Sequence, residues 1–455
     1  MTQLTTEVDP LEVGLDPARL ARVDRHFARY VDDGRLPGWS LLISRSGRVA
    51  HTSTYGLRDV EAGAPVTDDT LFRIYSMTKP ITSVAALMLY EEGAFELTDP
   101  VSRYLPAFAD QRVLVGGTAA RPVTVPAIEP VRIWHLLTHT AGLTYGFHHV
   151  EVIDEIYRAN GFEWGTPKGL DLAGCVDAWA GLPLAFQPGA EWNYSVATDV
   201  VGRLVEVVSG QSLDAFFAER IFGPLGMTDT AFTVAAADAE RLAALYTPTS
   251  RAALDTPPRA AIDTPPRAAP TADGAAAGAA PNGAAPNGAA AEGTRFVRSE
   301  RMGRAVLREP YCLSGGGGLV STRHDYARFA QMLLHGGELE GVRLLGDRTV
   351  RFMATNHLPG GADLEEFGRP LFAETSFAGT GFGLGVSVVL DPVVSRTLGS
   401  AGEFGWGGAA STAFWVDPAE QLTVVFLTQL LPSSTYPIRP QLRQLVYSAL
   451  VDRTS

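Results

Sequence analysis

The strand-forming segments lie at both ends of the chain, and this constrains the fold more than any other feature of the sequence. Near the amino terminus, GWSLLISRSGRVAHTSTYG contains two strand-like runs separated by Ser46 and Gly47, which is typical of a β-hairpin. After residue 380, GFGLGVSVVL, VVSRTLGSAG, GAASTAFWVDP and QLTVVFLTQL predict successive strands joined by turns. Residues 95–235 show mainly helical periodicity. We therefore expect an α+β fold with one antiparallel sheet that both ends of the chain complete.

Helical segments flank and interrupt this sheet. An amphipathic helix is predicted at residues 16–34, and a helix at about residues 437–452 closes the chain. We assign residues 1–85 and 295–455 to a sheet subdomain, and residues 86–247 to an inserted, mostly helical subdomain.

The segment from residue 248 to residue 294 differs in composition from the rest of the chain. AALDTPPR is followed by AAIDTPPR, and AAPNG occurs twice in tandem. The segment contains no aromatic residue and almost no large apolar one, so burial cannot offset the entropy lost on ordering it. We interpret 248–294 as a low-complexity, disordered insert that acts as a spacer.

Composition narrows the possible partners and the location. The net charge of −13 argues against nucleic acid and anionic membrane surfaces as partners. Cys175 and Cys312 form no CxxC pair, which favours two reduced structural thiols over a disulfide. The amino terminus lacks the apolar core of a secretory signal, and no apolar run approaches the ~18–20 residues of a spanning helix. We expect a soluble, cytoplasmic protein, and its oligomeric state stays open.

One lysine identifies the candidate active site. Among 37 Lys and Arg residues, only Lys79 and Lys168 are lysines, and Lys79 follows Ser76 by three positions in LFRIYSMTKPITSVAALMLYEEG. Pro80 and the apolar run up to Glu92 predict a helix that begins here, and residues three apart share a helix face. A lysine amine can accept the serine proton when its surroundings lower its pKa, whereas a guanidinium stays protonated. The pattern predicts a serine nucleophile with a lysine partner.

Two further stretches complete a set of motifs. FQPGAEWNYSVATDVVG contains Tyr194-Ser195-Val196, and GEFGWGGAASTAFWVDP contains Trp406-Gly407-Gly408. With Ser76-Met77-Thr78-Lys79, these resemble the motifs of the serine β-lactamase and penicillin-binding-protein superfamily, in the class C-like branch that holds the family VIII carboxylesterases. The resemblance covers about residues 14–245 and 295–450, and it implies the β-lactamase/transpeptidase-like fold.

The resemblance also implies a role for each matching residue. Ser76 would be the acylated nucleophile. Lys79 and Tyr194 would share the acid–base chemistry, and the sequence leaves open which of the two is the base. The N–H groups of Ser76 and Ala409 would bind the oxyanion.

Two departures from the β-lactamase pattern bear on the substrate. Val196 replaces the amide of Y-x-N, and Trp406 replaces the lysine of K-T-G. Both changes remove polar groups that bind the amide and carboxylate of β-lactams, and they leave an apolar wall. The small residues Gly407 and Gly408 would let the substrate approach the strand closely.

We interpret the chain as a serine hydrolase that cleaves short acyl esters through an acyl-serine intermediate, without a cofactor. A β-lactamase, a D-amino-acid peptidase-like amidase and an acyltransferase to an alcohol remain alternatives on the same fold. A catalytically dead binding protein is disfavoured because all three motifs are chemically competent. His135 and His139 have no HExxH pattern, so no metal site is expected, and no G-x-S-x-G elbow of an α/β-hydrolase is present.

Overall fold

An eight-stranded antiparallel sheet organises the protein, whose computed structural model describes residues 6–163, 169–249, 295–369 and 377–451. From one edge to the other, its strands are Thr380–Phe382, Ser387–Val389, Phe404–Gly407, Ala413–Asp417, Leu422–Thr428, Gly38–Arg45, Arg48–Asp59 and Ala64–Pro65. Strand Gly38–Arg45 pairs directly with Leu422–Thr428. This pairing confirms that one antiparallel sheet is completed by both ends of the chain.

Alternate residues of the central strand Gly38–Arg45 face two different hydrophobic cores, as the pleat requires. Leu41 and Ile43 belong to the core that contains the amino-terminal helix Pro17–Asp32 and the carboxy-terminal helix Ile438–Tyr447. Leu42 belongs to a larger core on the opposite face, which contains most of the other helices. The sheet is therefore covered by helices on both faces.

The amino-terminal helix shows how local sequence positions one of these layers. Asp16 accepts hydrogen bonds from the first-turn N–H groups, so the helix begins at Pro17 as predicted. The helix buries one face against the sheet, through Leu20, Val23, Phe27 and Tyr30. Asp16 and this apolar stripe fix where the helix starts and which face it turns to the sheet.

The remaining regular elements lie around this framework. The other α-helices are Thr78–Glu91, Ile133–Leu137, Val152–Ala159, Leu172–Ala180, Ala197–Ser209, Leu213–Phe217, Gly223–Leu225, Glu300–Gly303, Arg323–Leu334, Asp347–Met353, Leu364–Phe367 and Pro392–Ser395. Short antiparallel pairs join Phe72–Arg73 to Val320–Ser321, Arg112–Thr118 to Arg121–Pro126, Tyr246–Pro248 to Phe296–Arg298, and Glu338–Leu339 to Val342–Arg343. Within the described ranges, none of the helices combines the length and the apolarity that crossing a bilayer requires.

Two local predictions were wrong. VVSRTLGSAG, predicted as a strand, contributes to the helix Pro392–Ser395, because Asp391 accepts hydrogen bonds from the Val393 and Val394 N–H groups. Val393 is 84% exposed, so its β-branched side chain did not signal burial in a sheet. The hairpin Arg112–Thr118 with Arg121–Pro126 was missed because it is largely exposed and its strand signal is interrupted by two glycines and two prolines.

The predicted insert at 248–294 falls almost entirely outside the described residues, as does Lys168. The described residues on either side of 250–294 lie side by side. Pro248 pairs with Phe296, and the Thr249 N–H donates to the Arg295 carbonyl at 2.9 Å. The insert therefore leaves and rejoins the body at one point.

The division into a sheet subdomain and a helical subdomain stays a prediction. Its boundary between residues 85 and 86 falls inside the helix Thr78–Glu91, which is buried along almost its whole length. This helix packs against Ala197–Ser209, at the centre of the larger core. A helix that is apolar on all sides is typical of such a central position.

Candidate active site

Ser76 lies in a strained turn directly before the buried helix Thr78–Glu91. Tyr75–Met77 forms a single 3₁₀ turn, and the α-helix follows from Thr78. Tyr75 has φ of 44°, in the left-handed region that side chains other than glycine rarely adopt. The turn is held from outside, because the Tyr326 hydroxyl donates to the Met77 carbonyl at 2.8 Å. The surrounding structure thus fixes the backbone that presents the partly exposed Ser76.

Lys79 is buried directly beneath Ser76, with only 1% of its surface exposed. Its Nζ donates to the Gly316 carbonyl at 2.6 Å, to the Tyr145 hydroxyl at 2.9 Å and to Ser76 Oγ at 3.4 Å. These three acceptors match the three donors of an ammonium group. The predicted pair Ser76 and Lys79 is therefore brought together, with the serine at the longest of the three distances.

A buried carboxylate faces the lysine from the other side of the Gly316 backbone. Asp199 Oδ1 accepts from the Gly316 N–H at 3.0 Å and from the Ser314 hydroxyl at 2.5 Å. Burial raises the pKa of Asp199, and the charge of Lys79 opposes this rise. A Cβ atom at Gly316 would overlap the Asp199 carboxylate. Only glycine lets this backbone pass between the two charged groups.

Gly316 belongs to a run of four glycines, residues 315–318, and this run is hydrogen-bonded to the helix Thr78–Glu91. Thr82 Oγ1 donates to the Gly315 carbonyl at 2.7 Å, and the Leu319 N–H donates to Thr78 Oγ1 at 3.2 Å. These bonds hold the run at the depth of Lys79. The Gly316 carbonyl of this run is one of the three acceptors of Lys79.

Two tyrosines border the lysine. Lys79 Nζ lies 4.6 Å from the centroid of the Tyr194 ring, close enough for a cation–π contact. The Tyr194 hydroxyl accepts from Trp406 Nε1 at 3.3 Å. Tyr145, whose hydroxyl contacts Lys79, was not singled out in the sequence, because one tyrosine in a loop has no motif spacing. Burial raises the pKa of Tyr145 well above its usual range, so its phenol stays protonated.

Two neutral histidines support the Tyr194 turn. His148 Nε2 donates to the Tyr194 carbonyl at 2.7 Å, and His139 Nδ1 lies 3.1 Å from Ser195 Oγ. Burial lowers the pKa of both imidazoles. Among the described residues, no group of three or more His, Cys, Asp or Glu side chains is arranged to hold a metal ion.

The Trp406-Gly407-Gly408 strand end passes directly against the turn that carries Ser76. A Cβ atom at Gly408 would overlap the Ile74 carbonyl, two residues before Ser76. A Cβ atom at Gly407 would overlap the Arg439 guanidinium. The two glycines therefore leave room for protein groups, and close approach of the substrate to this strand stays a prediction.

The other two predicted binding residues occupy different environments. Ala409 is half-exposed at the end of this strand, and within the described ranges its N–H has no hydrogen-bond acceptor. Val196 is 4% exposed and belongs to the larger core, at the start of the helix Ala197–Ser209. The structure thus leaves the Ala409 amide available, whereas it buries the Val196 side chain.

The wall of the site is aromatic. Trp406 packs against Tyr194 and Phe382, with ring centroids 5.4 Å and 5.3 Å apart. Tyr145 stacks on Phe147 with ring centroids 4.6 Å apart, and both side chains are mostly buried. The apolar wall expected from Val196 and Trp406 is therefore formed by Trp406 together with other aromatic side chains.

Three comparisons relate the chain to known proteins. A family model described as Beta-lactamase matches residues 23–448. Esterase EstB of Burkholderia gladioli is 33% identical over 445 residues, which cover 97% of this chain and 98% of that protein. An uncharacterized protein of Mycobacterium tuberculosis is 36% identical over 405 residues, 88% of each chain. The structure of EstCE1, a hydrolase with promiscuous acyltransferase activity, has a TM-score of 0.72 at 29% identity, covering 94% of this chain and 98% of EstCE1.

Proposed function

The chain belongs to the beta-lactamase family and is a serine hydrolase, and on this premise we propose that it is a carboxylesterase that cleaves short acyl esters through an acyl-Ser76 intermediate. The observation that carries the proposal is the contact between the buried Lys79 Nζ and Ser76 Oγ, beside a wall of aromatic side chains. The similarity to Esterase EstB and to EstCE1 supports the same reaction class.

In the proposed mechanism, Lys79 in its neutral form takes the proton of Ser76 as Oγ attacks the ester carbonyl. Lys79 is the better candidate for the base because it contacts Ser76, whereas within the described residues no hydrogen bond joins Tyr194 to Ser76. Tyr194, with its hydroxyl held by Trp406, then returns a proton to the departing alkoxide.

The N–H groups of Ser76 and Ala409 stabilise the tetrahedral oxyanion in this mechanism. A water molecule then attacks the acyl-enzyme with the same groups acting in reverse. Deacylation by an alcohol in place of water would give acyl transfer. EstCE1, described as a hydrolase with promiscuous acyltransferase activity, favours this as the second candidate function.

The substrate preference follows from Trp406. Its indole N–H is directed to the Tyr194 hydroxyl, so this position offers no cation to a substrate carboxylate. A buried carboxylate without a charged partner is unfavourable by a few kcal/mol, about the size of a lost charged hydrogen bond. A neutral ester has no such charge. We therefore expect esters to react faster than penicillins.

A kinetic panel tests the proposal. We expect kcat/KM for p-nitrophenyl acetate or butyrate to exceed that for benzylpenicillin at least ~10³-fold, which corresponds to about 4 kcal/mol of lost recognition. Ser76→Ala, which removes the nucleophile, gives the background rate. Trp406→Lys should narrow the ratio because it returns a cation to the site. Equal rates on penicillin and ester in the unmodified protein would contradict the esterase assignment and favour a β-lactamase.

A further inference from the structure

Arg439 approaches the active site from behind the strand that carries Trp406. It lies in the first turn of the carboxy-terminal helix Ile438–Tyr447. Its Nη2 donates to the Gly408 carbonyl at 2.9 Å and to the Thr412 carbonyl at 3.1 Å. Successive residues of a strand point to opposite faces, so the space beside Gly407 opens away from Trp406, and the guanidinium occupies it.

The Gly408 carbonyl belongs to the same planar peptide group as the Ala409 N–H. Fixing the direction of this carbonyl therefore fixes the direction of the N–H, which points the opposite way in a trans peptide. A cation on the carbonyl oxygen also draws electron density from the amide and makes its N–H a stronger donor. Within the described part of the chain, no protein acceptor takes this N–H.

We propose that Arg439 is a positioning residue that aims and strengthens the Ala409 N–H as an oxyanion donor. The inference rests on the proposed function, because it assigns Ala409 to the oxyanion of acyl transfer. It also explains why position 407 is glycine. A side chain there would displace the guanidinium, and the Gly408–Ala409 peptide would lose its anchor.

The test separates a role in the transition state from a role in stability alone. For Arg439→Ala we expect kcat for p-nitrophenyl acetate to fall ~10- to 100-fold with KM changed less than ~3-fold, because complete loss of an oxyanion donor costs ~10²–10³-fold. The affinity for benzeneboronic acid, which forms a tetrahedral adduct with the serine, should fall by a similar factor. Millimolar guanidinium chloride should restore part of the lost rate.

Arg443→Ala is the matched control. Arg443 lies one turn further along the same helix and pairs with Glu403, away from the Gly408 carbonyl. We expect this variant to lower the melting temperature while keeping kcat and boronate affinity near those of the unmodified protein. Arg439→Lys keeps the charge but loses the planar fork of donors, so an intermediate kcat with little change in melting temperature is expected.

The possible results are distinct. Arg439→Ala with kcat and boronate affinity within ~2-fold of the unmodified protein would overturn the inference. The inference would also be overturned if Arg439→Ala and Arg443→Ala lowered the melting temperature equally and Arg439→Ala lost no more kcat and boronate affinity than Arg443→Ala. If Arg439→Ala does not fold, an unchanged kcat in Arg439→Lys would overturn it. An unmodified protein that neither hydrolyses esters nor reacts with a fluorophosphonate at Ser76 would instead refute the proposed function.

Discussion

Two glycines beside the active site differ in the charged group that fills the space of their missing side chain. At Gly316 the space belongs to the Asp199 carboxylate, and at Gly407 it belongs to the Arg439 guanidinium. Gly316 lies on the side of the lysine, and Gly407 lies on the strand that leads to Ala409. In both places the charged group hydrogen-bonds to the backbone of the site, Asp199 to the Gly316 N–H and Arg439 to the Gly408 carbonyl.

Each charge is opposite in sign to the charge that it faces across the backbone. The carboxylate faces an ammonium group across one glycine, whereas the guanidinium lies behind the amide that would face a developing negative charge. Among the described residues, Trp406, Tyr194 and Phe382 form an aromatic wall, which suits a neutral ester. The comparison teaches that two charged groups near this site, Asp199 and Arg439, act on it through the backbone groups that they hold.

The largest effect is expected where the lysine itself is changed. Lys79→Arg keeps a cation between Tyr145 and Gly316, but a guanidinium does not act as a base at neutral pH. We expect kcat/KM for p-nitrophenyl butyrate to fall by ~10³-fold or more. A variant that keeps more than about a tenth of kcat/KM, a change of about 1.4 kcal/mol, would show that Lys79 is only a fixed positive charge.

Alanine at each of the two glycines tests the comparison directly. Neither has a positive φ, so the added methyl group acts only through overlap. Gly316→Ala should displace the Asp199 carboxylate and lower kcat/KM ~10²-fold, with a fall of several degrees in melting temperature because overpacking costs ~1–3 kcal/mol. Gly407→Ala should displace the Arg439 guanidinium and lower kcat by ~10-fold or more.

Gly116→Ala is the control for both glycine variants, because a methyl group there meets nothing within 4 Å. We expect its kcat and melting temperature to equal those of the unmodified protein. If Gly407→Ala also kept the kcat and melting temperature of the unmodified protein, displacing the Arg439 guanidinium would have no effect. The proposed role of the charge behind Gly407 would then be wrong.

A smaller effect is expected when only the charge of Asp199 is removed. Asp199→Asn keeps an oxygen that can accept from Gly316 and Ser314, so we expect a loss of ~10-fold in kcat/KM with the fold intact. An unchanged rate would mean that the hydrogen bonds matter and the charge does not.

The same variant has a pH signature in stability. Burial raises the pKa of Asp199 above its unfolded value of ~3.9, so the native state keeps this proton to higher pH than the unfolded chain does. The contribution of this group to stability is therefore greatest at low pH, and it falls as pH rises from ~4 through the raised native pKa. Asp199→Asn lacks this fall, so its melting temperature relative to the unmodified protein should be higher at pH 7 than at pH 4.

The smallest effect is expected far from both charges. Replacing residues 250–292 with a short Gly-Ser linker should leave the melting temperature and kcat/KM nearly unchanged, because Tyr246–Pro248 and Phe296–Arg298 already pair at the base of the segment. A fall of more than several degrees in a thermal melt would show that the segment packs on the body. An altered substrate preference at equal stability would indicate a lid.

Much of the framework could be predicted because it depends on local patterns. The apolar stripe of the amino-terminal helix and the hairpin at Ser46-Gly47 are periodic over a few residues, and both are present. The wrong strand at VVSRTLGSAG shows the limit of such patterns. Its valines lie in a capped turn on the surface, and the cap at Asp391 outweighed their strand propensity.

The candidate site divides in the same way. Ser76 and Lys79 are three residues apart on one turn, so their meeting follows from helix geometry. Tyr145 and Gly316 contact Lys79 from 66 and 237 residues away, and no spacing in the sequence encodes such contacts. The roles of the predicted residues stay proposals until the variants are measured.

By itself, the sequence determined the family motifs, the sheet completed by both ends of the chain, and the pair Ser76 and Lys79. Only the tertiary structure decided which side chains lie against the two glycines. A glycine has no side chain, so its position in the sequence does not show which group of the folded protein fills that space. Asp199 and Arg439 come from a helix inside the chain and from the helix that closes it. Close packing of distant segments brought Asp199 against Gly316 and Arg439 against Gly407.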